Sequence, residues 1–216
     1  MEEIHYILKN YLLLGTQFLA VLIGAIYFFK LKNSYWKWFS IYLIIIFIQE
    51  YFGINNTSID RKYKIAYYMF FGVPLEFIFL YWLYALKSLR NKKLFFLSIL
   101  VYIATIGLSL IYKKISEVYS LSMNIGTIML LCLLTLEFIK QIKTDDILKF
   151  KENKMFYLNL GLVIFYIGNY PYHVFGEALH TNHLKLWEIY HLYFLMSNCI
   201  MYLLFAASFI WGKTQS

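Results

Sequence analysis

At 216 residues, 61% of them hydrophobic and 21% aromatic, the chain is too apolar for a soluble domain, whose apolar share is roughly 45–50%. Its formal charge of +8 is concentrated in short gaps between long apolar runs. Orienting helices in a bilayer explains that placement, and no basic run alternates with exposed aromatics, so nucleic acid is excluded as a partner. Cys132 and Cys199 both fall inside apolar runs, where a cysteine acts as a small hydrophobe, so neither a disulfide nor a redox role is expected.

A bilayer core needs about 20 apolar residues per spanning helix. Seven such runs fit the chain, at 8–29, 35–53, 66–86, 94–112, 121–140, 155–175 and 189–211. In lipid each must be a helix, because the backbone has no water to bond. The predicted fold is all-α: one seven-helix transmembrane domain spanning residues 1–216. The first run follows Glu2 and Glu3 and exceeds the apolar core of a signal peptide, so it reads as a retained helix. It carries Gln17. The second has Tyr35, Trp36 and Trp38 at one end and Gln49 and Glu50 at the other. The third holds Pro74 and, two residues on, Glu76, which lies about 15 Å into the helix by its rise per residue. Near the end of the fifth, Glu137 precedes Lys140 by three residues and reads as a solvated pair. The 140–154 loop mixes five lysines with Asp145, Asp146 and Glu152, as expected of a solvated stretch beside lipid headgroups or a docking surface for a partner. The sixth run carries Asn169 and His173, and also Glu177 and His180 if its helix continues past Phe175. The seventh carries Glu188 at its start, then His191 and Asn198. Tyr and Trp at the helix ends form the interfacial aromatic belt.

Basic residues set the orientation. One side holds 13 of the 20: Lys30, Lys32, Lys37, Lys87, Arg90, Lys92, Lys93, Lys140, Lys143, Lys149, Lys151, Lys154 and Lys213. The other side holds 7, Arg61, Lys62 and Lys64 among them. The N-terminus is therefore expected outside and the C-terminus in the cytoplasm.

Polar side chains inside a membrane are costly and tend to line functional cavities. Asn169, His173, Glu177 and His180 share an arc of about 80° on the sixth helix, as do Glu188, His191 and Asn198 on the seventh. With Gln17, Gln49, Glu50 and Glu76 they suggest a ligand-binding cavity in the outer half of the bundle. His173 and Glu177 are one turn apart, and His191 can approach from the next helix. Zinc or copper is therefore a candidate there, although the spacing matches no established ligand motif. Gly72-Val73-Pro74 and Gly168-Asn169-Tyr170-Pro171 are candidate kink points of two three-helix repeats.

Retinal chemistry needs a lysine within the last helix, and Lys185 and Lys213 lie outside it. The Asp-Arg-Tyr and Asn-Pro-x-x-Tyr signatures of eukaryotic G-protein-coupled receptors are absent, as are a Pro-Gln pair, a phosphate loop and a nucleophile elbow. The segments Tyr67-Tyr68-Met69-Phe70-Phe71-Gly72-Val73-Pro74-Leu75-Glu76-Phe77 and Asn159-Leu160-Gly161-Leu162-Val163-Ile164-Phe165-Tyr166-Ile167-Gly168-Asn169 resemble an uncharacterised family of seven-helix bacterial inner-membrane proteins. That resemblance implies a bacterial inner-membrane location and supplies no activity. The leading functional expectation is a sensor or ligand-binding module that signals through its inner loops to a separate cytoplasmic partner. The alternatives are a metal-dependent hydrolase acting on a lipid-like substrate and a small proton- or ion-coupled transporter.

Overall fold

The computed structural model describes residues 7–31, 33–56, 59–112 and 115–213, without the side chains of Lys9, Arg61, Ser109, Tyr112, Ile115, Ser116, His173 and Glu177. Helix dominates the described residues, and the only strand-like feature among them is an isolated parallel bridge between Asn153 and Lys213. The helices are α1 (Leu14–Phe28), α2 (Trp36–Asn55), α3 (Lys62–Ser88), α4 (Lys92–Tyr112), α5 (Ile115–Lys143), α6 (Lys154–Asn182) and α7 (Leu184–Ile210). A π-helical stretch, Leu8–Leu13, leads into α1. Among the described residues, five helices are long and apolar enough to cross a membrane: Asn10–Leu31, Trp36–Asn55, Lys62–Ser88, Glu117–Lys143 and Leu184–Ile210. The other two predicted runs lie within α4, of 21 residues, and α6, of 29.

The distribution of side chains is that of a lipid-solvated molecule. Leu100, Ile103, Leu108 and Ile111 of α4 are each more than half exposed, whereas Gln17, Asn159, Asn169, Ser197 and Ser208 are buried. In lipid an outward leucine costs nothing, while an outward amide has no partner. The chain is a multi-pass helical membrane protein.

The residues divide into two compact units, Met1–Ile54 with Gln141–Ser216, and Asn55–Lys140, so that the boundary falls inside α5. In the first unit α1 and α6 both pack along α7. Its core is aromatic: the Phe39 ring lies 5.3 Å from Phe205 and 5.5 Å from Phe209. Asn153 caps α6, its Oδ1 accepting from the Met155 amide at 3.0 Å, as N-cap side chains do for otherwise unpaired donors. The helix runs on through Phe175 to Asn182. Only His183 separates it from α7, and the His183 amide donates to the Leu179 carbonyl at 2.8 Å. The connection is shorter than expected, which makes α6 and α7 antiparallel neighbours.

In the second unit α3 alternates between two geometries. Its α-helical segments, Arg61–Tyr67 and Val73–Tyr81, are each followed by a π-helical segment, Tyr68–Gly72 and Trp82–Ser88. Pro74 explains the first. A proline ring clashes with the carbonyl four residues earlier, and the wider π turn, closed by the Val73 amide on the Tyr68 carbonyl, makes room for it. Pro171 lies inside α6 with no such turn, so the two Gly/Pro stretches differ in backbone form. Phe77, Tyr81 and Tyr102 cluster in the core, with ring centroids 5.4–6.3 Å apart. The Tyr81 hydroxyl donates to the Gly126 carbonyl at 2.9 Å. Gly126 is required there, because a Cβ would overlap the Phe77 ring.

Candidate functional site

Asn169, in the first unit, is fully buried. Its Nδ2 donates to the Phe165 carbonyl at 2.7 Å and to the Ser197 hydroxyl of α7 at 2.8 Å. Ser197 passes the chain on by donating to the Phe194 carbonyl at 3.1 Å. Because the Phe165 carbonyl can only accept, the Asn169 amide is oriented by the network, and its Oδ1 has no hydrogen-bond partner among the described residues. The same holds for Gln17 Oε1 of α1 and Asn198 Oδ1 of α7. Thr16, beside Gln17, reaches the Cys199 thiol, beside Asn198. Three helices of one unit thus each carry a buried amide oxygen with no hydrogen-bond partner among the described residues.

The other expected cavity residues are distributed differently. Gln49 is buried near the end of α2, with its Nε2 unsatisfied, and Glu50 beside it is half-buried. Glu76 belongs to the second unit, where it is half-buried and interacts electrostatically with Tyr102. His191 is half-buried: Trp187 stacks on it at 5.0 Å with a 4° interplanar angle, and its Nδ1 shares a 3.2 Å hydrogen bond with the Tyr172 hydroxyl of α6. His180 meets Trp187 edge-on, also at 5.0 Å. Histidine and aromatic rings thus interlock the ends of α6 and α7 nearest their connection. The side chains of His173 and Glu177, the other two candidate metal ligands, lie outside the described residues. No group of three metal-ligating residues occurs among the described ones.

Two buried polar groups at the basic ends of the helices depart from the sequence reading. Glu137 is not in a solvated pair. Its side chain is 2% exposed, accepts from the Ser88 hydroxyl at 2.5 Å and lies 3.6 Å from Lys140. Lys140 in turn donates to the Ser88 carbonyl and hydroxyl at 3.1 and 2.9 Å. The π-helical end of α3 carries Ser88, whose oxygens meet both the buried Glu137 carboxyl group and the partly exposed Lys140 ammonium.

The second is Lys154, which lies one residue ahead of the apolar stretch 155–175 and is 4% exposed. Its Nζ donates to the Ser208 carbonyl at 3.0 Å and lies 5.8 Å from the Trp36 ring and 5.7 Å from the Phe209 ring. Among the described residues no carboxylate pairs with it. Burial without a counter-charge lowers its pKa to about 8. Around it the C-terminal segment is pinned to the start of α6. The Lys213 amide donates to the Glu152 carbonyl at 2.7 Å, and the Lys213 ammonium meets the Glu152 carboxylate at 2.6 Å. Gly212 packs so close to Lys154 and the Ser208 carbonyl that a side chain there would collide with both. A lysine at the edge of an apolar run ordinarily snorkels outward, so the sequence carries no sign of this burial.

Neither a family model, nor a curated protein, nor a solved structure matches the chain.

Proposed function

We propose that the protein is a seven-span sensor of the bacterial inner membrane, with its N-terminus outside and its C-terminus cytoplasmic. In this reading it binds a small ligand rich in N–H or O–H donors among α1, α6 and α7. It reports occupancy at the opposite ends of α6 and α7, where Lys154, Ser208 and the Glu152–Lys213 pair lie, to a separate cytoplasmic partner. One observation carries the reading: Gln17, Asn169 and Asn198 present buried amide oxygens, with no donor among the described residues, on three helices that pack in one unit. An unsatisfied buried acceptor costs about 1–3 kcal/mol, more than packing alone would retain three times in one unit. A donor-rich ligand would recover that cost and, by bridging the helices, couple its binding to their packing.

Thermal unfolding of the detergent-purified chain, screened against polar metabolites, tests this. Gln17→Leu should raise the midpoint without ligand, because it removes an orphaned acceptor, and should abolish any ligand-induced rise. If Gln17→Leu instead lowers the midpoint markedly, the amide is structural and the reading fails.

A further inference from the structure

An open groove of about 510 Å³ runs along the second unit, lined by Phe70, Phe71, Pro74, Leu75, Ile78, Phe79 and Trp82 of α3 and by Phe95 of α4. Its lining is apolar and aromatic, and its size falls within the roughly 300–1,000 Å³ typical of small-molecule sites. From Phe70 to Trp82 it extends about 18 Å at the rise of an α-helix. That is close to the depth of one leaflet's hydrocarbon, about 15 Å. A groove of this length and polarity fits an acyl chain.

Four cations lie in the stretch of chain between Trp82 and Phe95, the lining residues at one end of the groove. Lys87, Arg90, Lys92 and Lys93 are all exposed, and they fall in the last residues of α3, the connection and the first turn of α4. The Lys87 ammonium lies 5.1 Å from the centroid of the Trp82 ring and so reaches the groove wall itself. Asn91 begins α4, its Oδ1 accepting from the Leu94 amide at 3.1 Å. Lys92 and Lys93 therefore lie in the first helical turn, where the helix dipole disfavours cations and favours anions. Arg90 has a φ of 54°, a left-handed conformation that the end of a helix normally assigns to glycine. The backbone around it is held by the Asn91 amide on the Ala85 carbonyl at 2.8 Å. The chain thus carries a guanidinium at a position where the backbone favours glycine. No carboxylate pairs with any of these four side chains among the described residues. Clustered cations immediately outside a spanning helix attract anionic headgroups, and here the cluster continues directly into a slot for the chain.

We propose that this groove is a binding site for an anionic glycerophospholipid, with an acyl chain along Phe70–Trp82 and its phosphate held by Lys87, Arg90 and the Lys92–Lys93 turn. The site lies wholly within the second unit and does not depend on the sensor reading.

The test is native mass spectrometry of the full chain in detergent, incubated with equimolar phosphatidylglycerol and phosphatidylcholine. The wild type should retain phosphatidylglycerol in preference by about tenfold. Each basic residue removed should weaken retention by roughly fivefold, so Lys87→Gln with Arg90→Gly should erase the preference. Arg90→Gly should not lower the unfolding midpoint, since glycine suits that backbone, and this separates lost binding from lost folding. Ile78→Trp, which fills the groove and leaves every charge in place, should also reduce retention. Millimolar inorganic phosphate should not displace the lipid. Equal retention of the two lipids, an unchanged preference in the Lys87→Gln, Arg90→Gly variant, undiminished retention in Ile78→Trp, or displacement by phosphate would each overturn the proposal, the last in favour of a simple anion site.

Discussion

At Lys154 the fold places an ammonium with three donors against a single carbonyl and two aromatic faces. Ring faces attract a cation weakly compared with water, so the neutral amine is favoured on folding and the pKa falls to about 8 from its ordinary 10.5. Below about pH 8 the folded and unfolded chains both hold the proton, and the cost of burying the charge is felt in full. Between about 8 and 10.5 the unfolded chain holds the proton and the folded chain has released it, so stability rises with pH across that window and levels off above it. The unfolding midpoint in detergent should therefore climb over this range in the wild type. In Lys154→Met, which keeps the volume and removes the titration, that part of the climb should vanish. Parallel pH profiles for the two proteins would show that the ammonium is solvated after all. Glu137 is buried in a different setting, where its carboxyl group meets the Ser88 hydroxyl and lies 3.6 Å from the Lys140 ammonium.

At the scale of the elements, helix contacts depend on where the chain omits a side chain. Membrane helices gain little from hydrophobic association, so small residues that allow close approach set the interfaces. Gly161 and Gly168 lie seven residues apart on one face of α6. A Cβ on Gly161 would stand 3.3 Å from the Met201 carbonyl oxygen, and one on Gly168 would overlap the Tyr193 ring. Tyr193 is itself tied to α6 by its hydroxyl, which donates to the Ile164 carbonyl at 3.1 Å. Gly168→Ala should thus push α7 away and lower the unfolding midpoint by several degrees. Gly107→Ala, on a face of α4 with open space around it, should be neutral or stabilise by roughly 0.5–1 kcal/mol through backbone entropy. Equal effects of the two substitutions would remove the case for a glycine-mediated α6–α7 interface. Positions of this kind were only partly legible beforehand. The apolar runs announced that helices lie here, since a run of 20 needs no partner to be recognised. Which glycine faces a neighbour, which amide loses its donor and which lysine turns inward depend on helix rotation. A helix that is apolar on nearly every face carries no moment to reveal that rotation. Asn169 stands out in the sequence because an amide at such depth in an apolar run is costly. Its partner does not, for Ser197 is a residue that membrane helices carry freely.

Over the whole molecule, membrane residence rests on two independent signs: the five long apolar helices, and the exchange of exposed leucines for buried amides. Orientation rests on charge alone. Thirteen of 20 Lys and Arg residues fall on the side assigned to the cytoplasm, and lysines within short loops are held back by the positive-inside rule. Lys154 contributes less to that count than its position suggests, because it is buried and its pKa lies near 8. Arg90, Lys92 and Lys93 are exposed and bear the full weight. The topology predicts that a cysteine at position 216, introduced into a chain with Cys132→Ser and Cys199→Ser, is labelled by an impermeant maleimide only after the cells are permeabilised. A cysteine in the 56–60 connection should be labelled in intact cells, since one span lies between it and the basic loop that follows α1. An even number of spans would bring residue 216 to the same side as the N-terminus and make it reactive from outside. Labelling of Ser216→Cys in intact cells would thus refute the cytoplasmic C-terminus, and with it the inward signalling direction of the sensor reading.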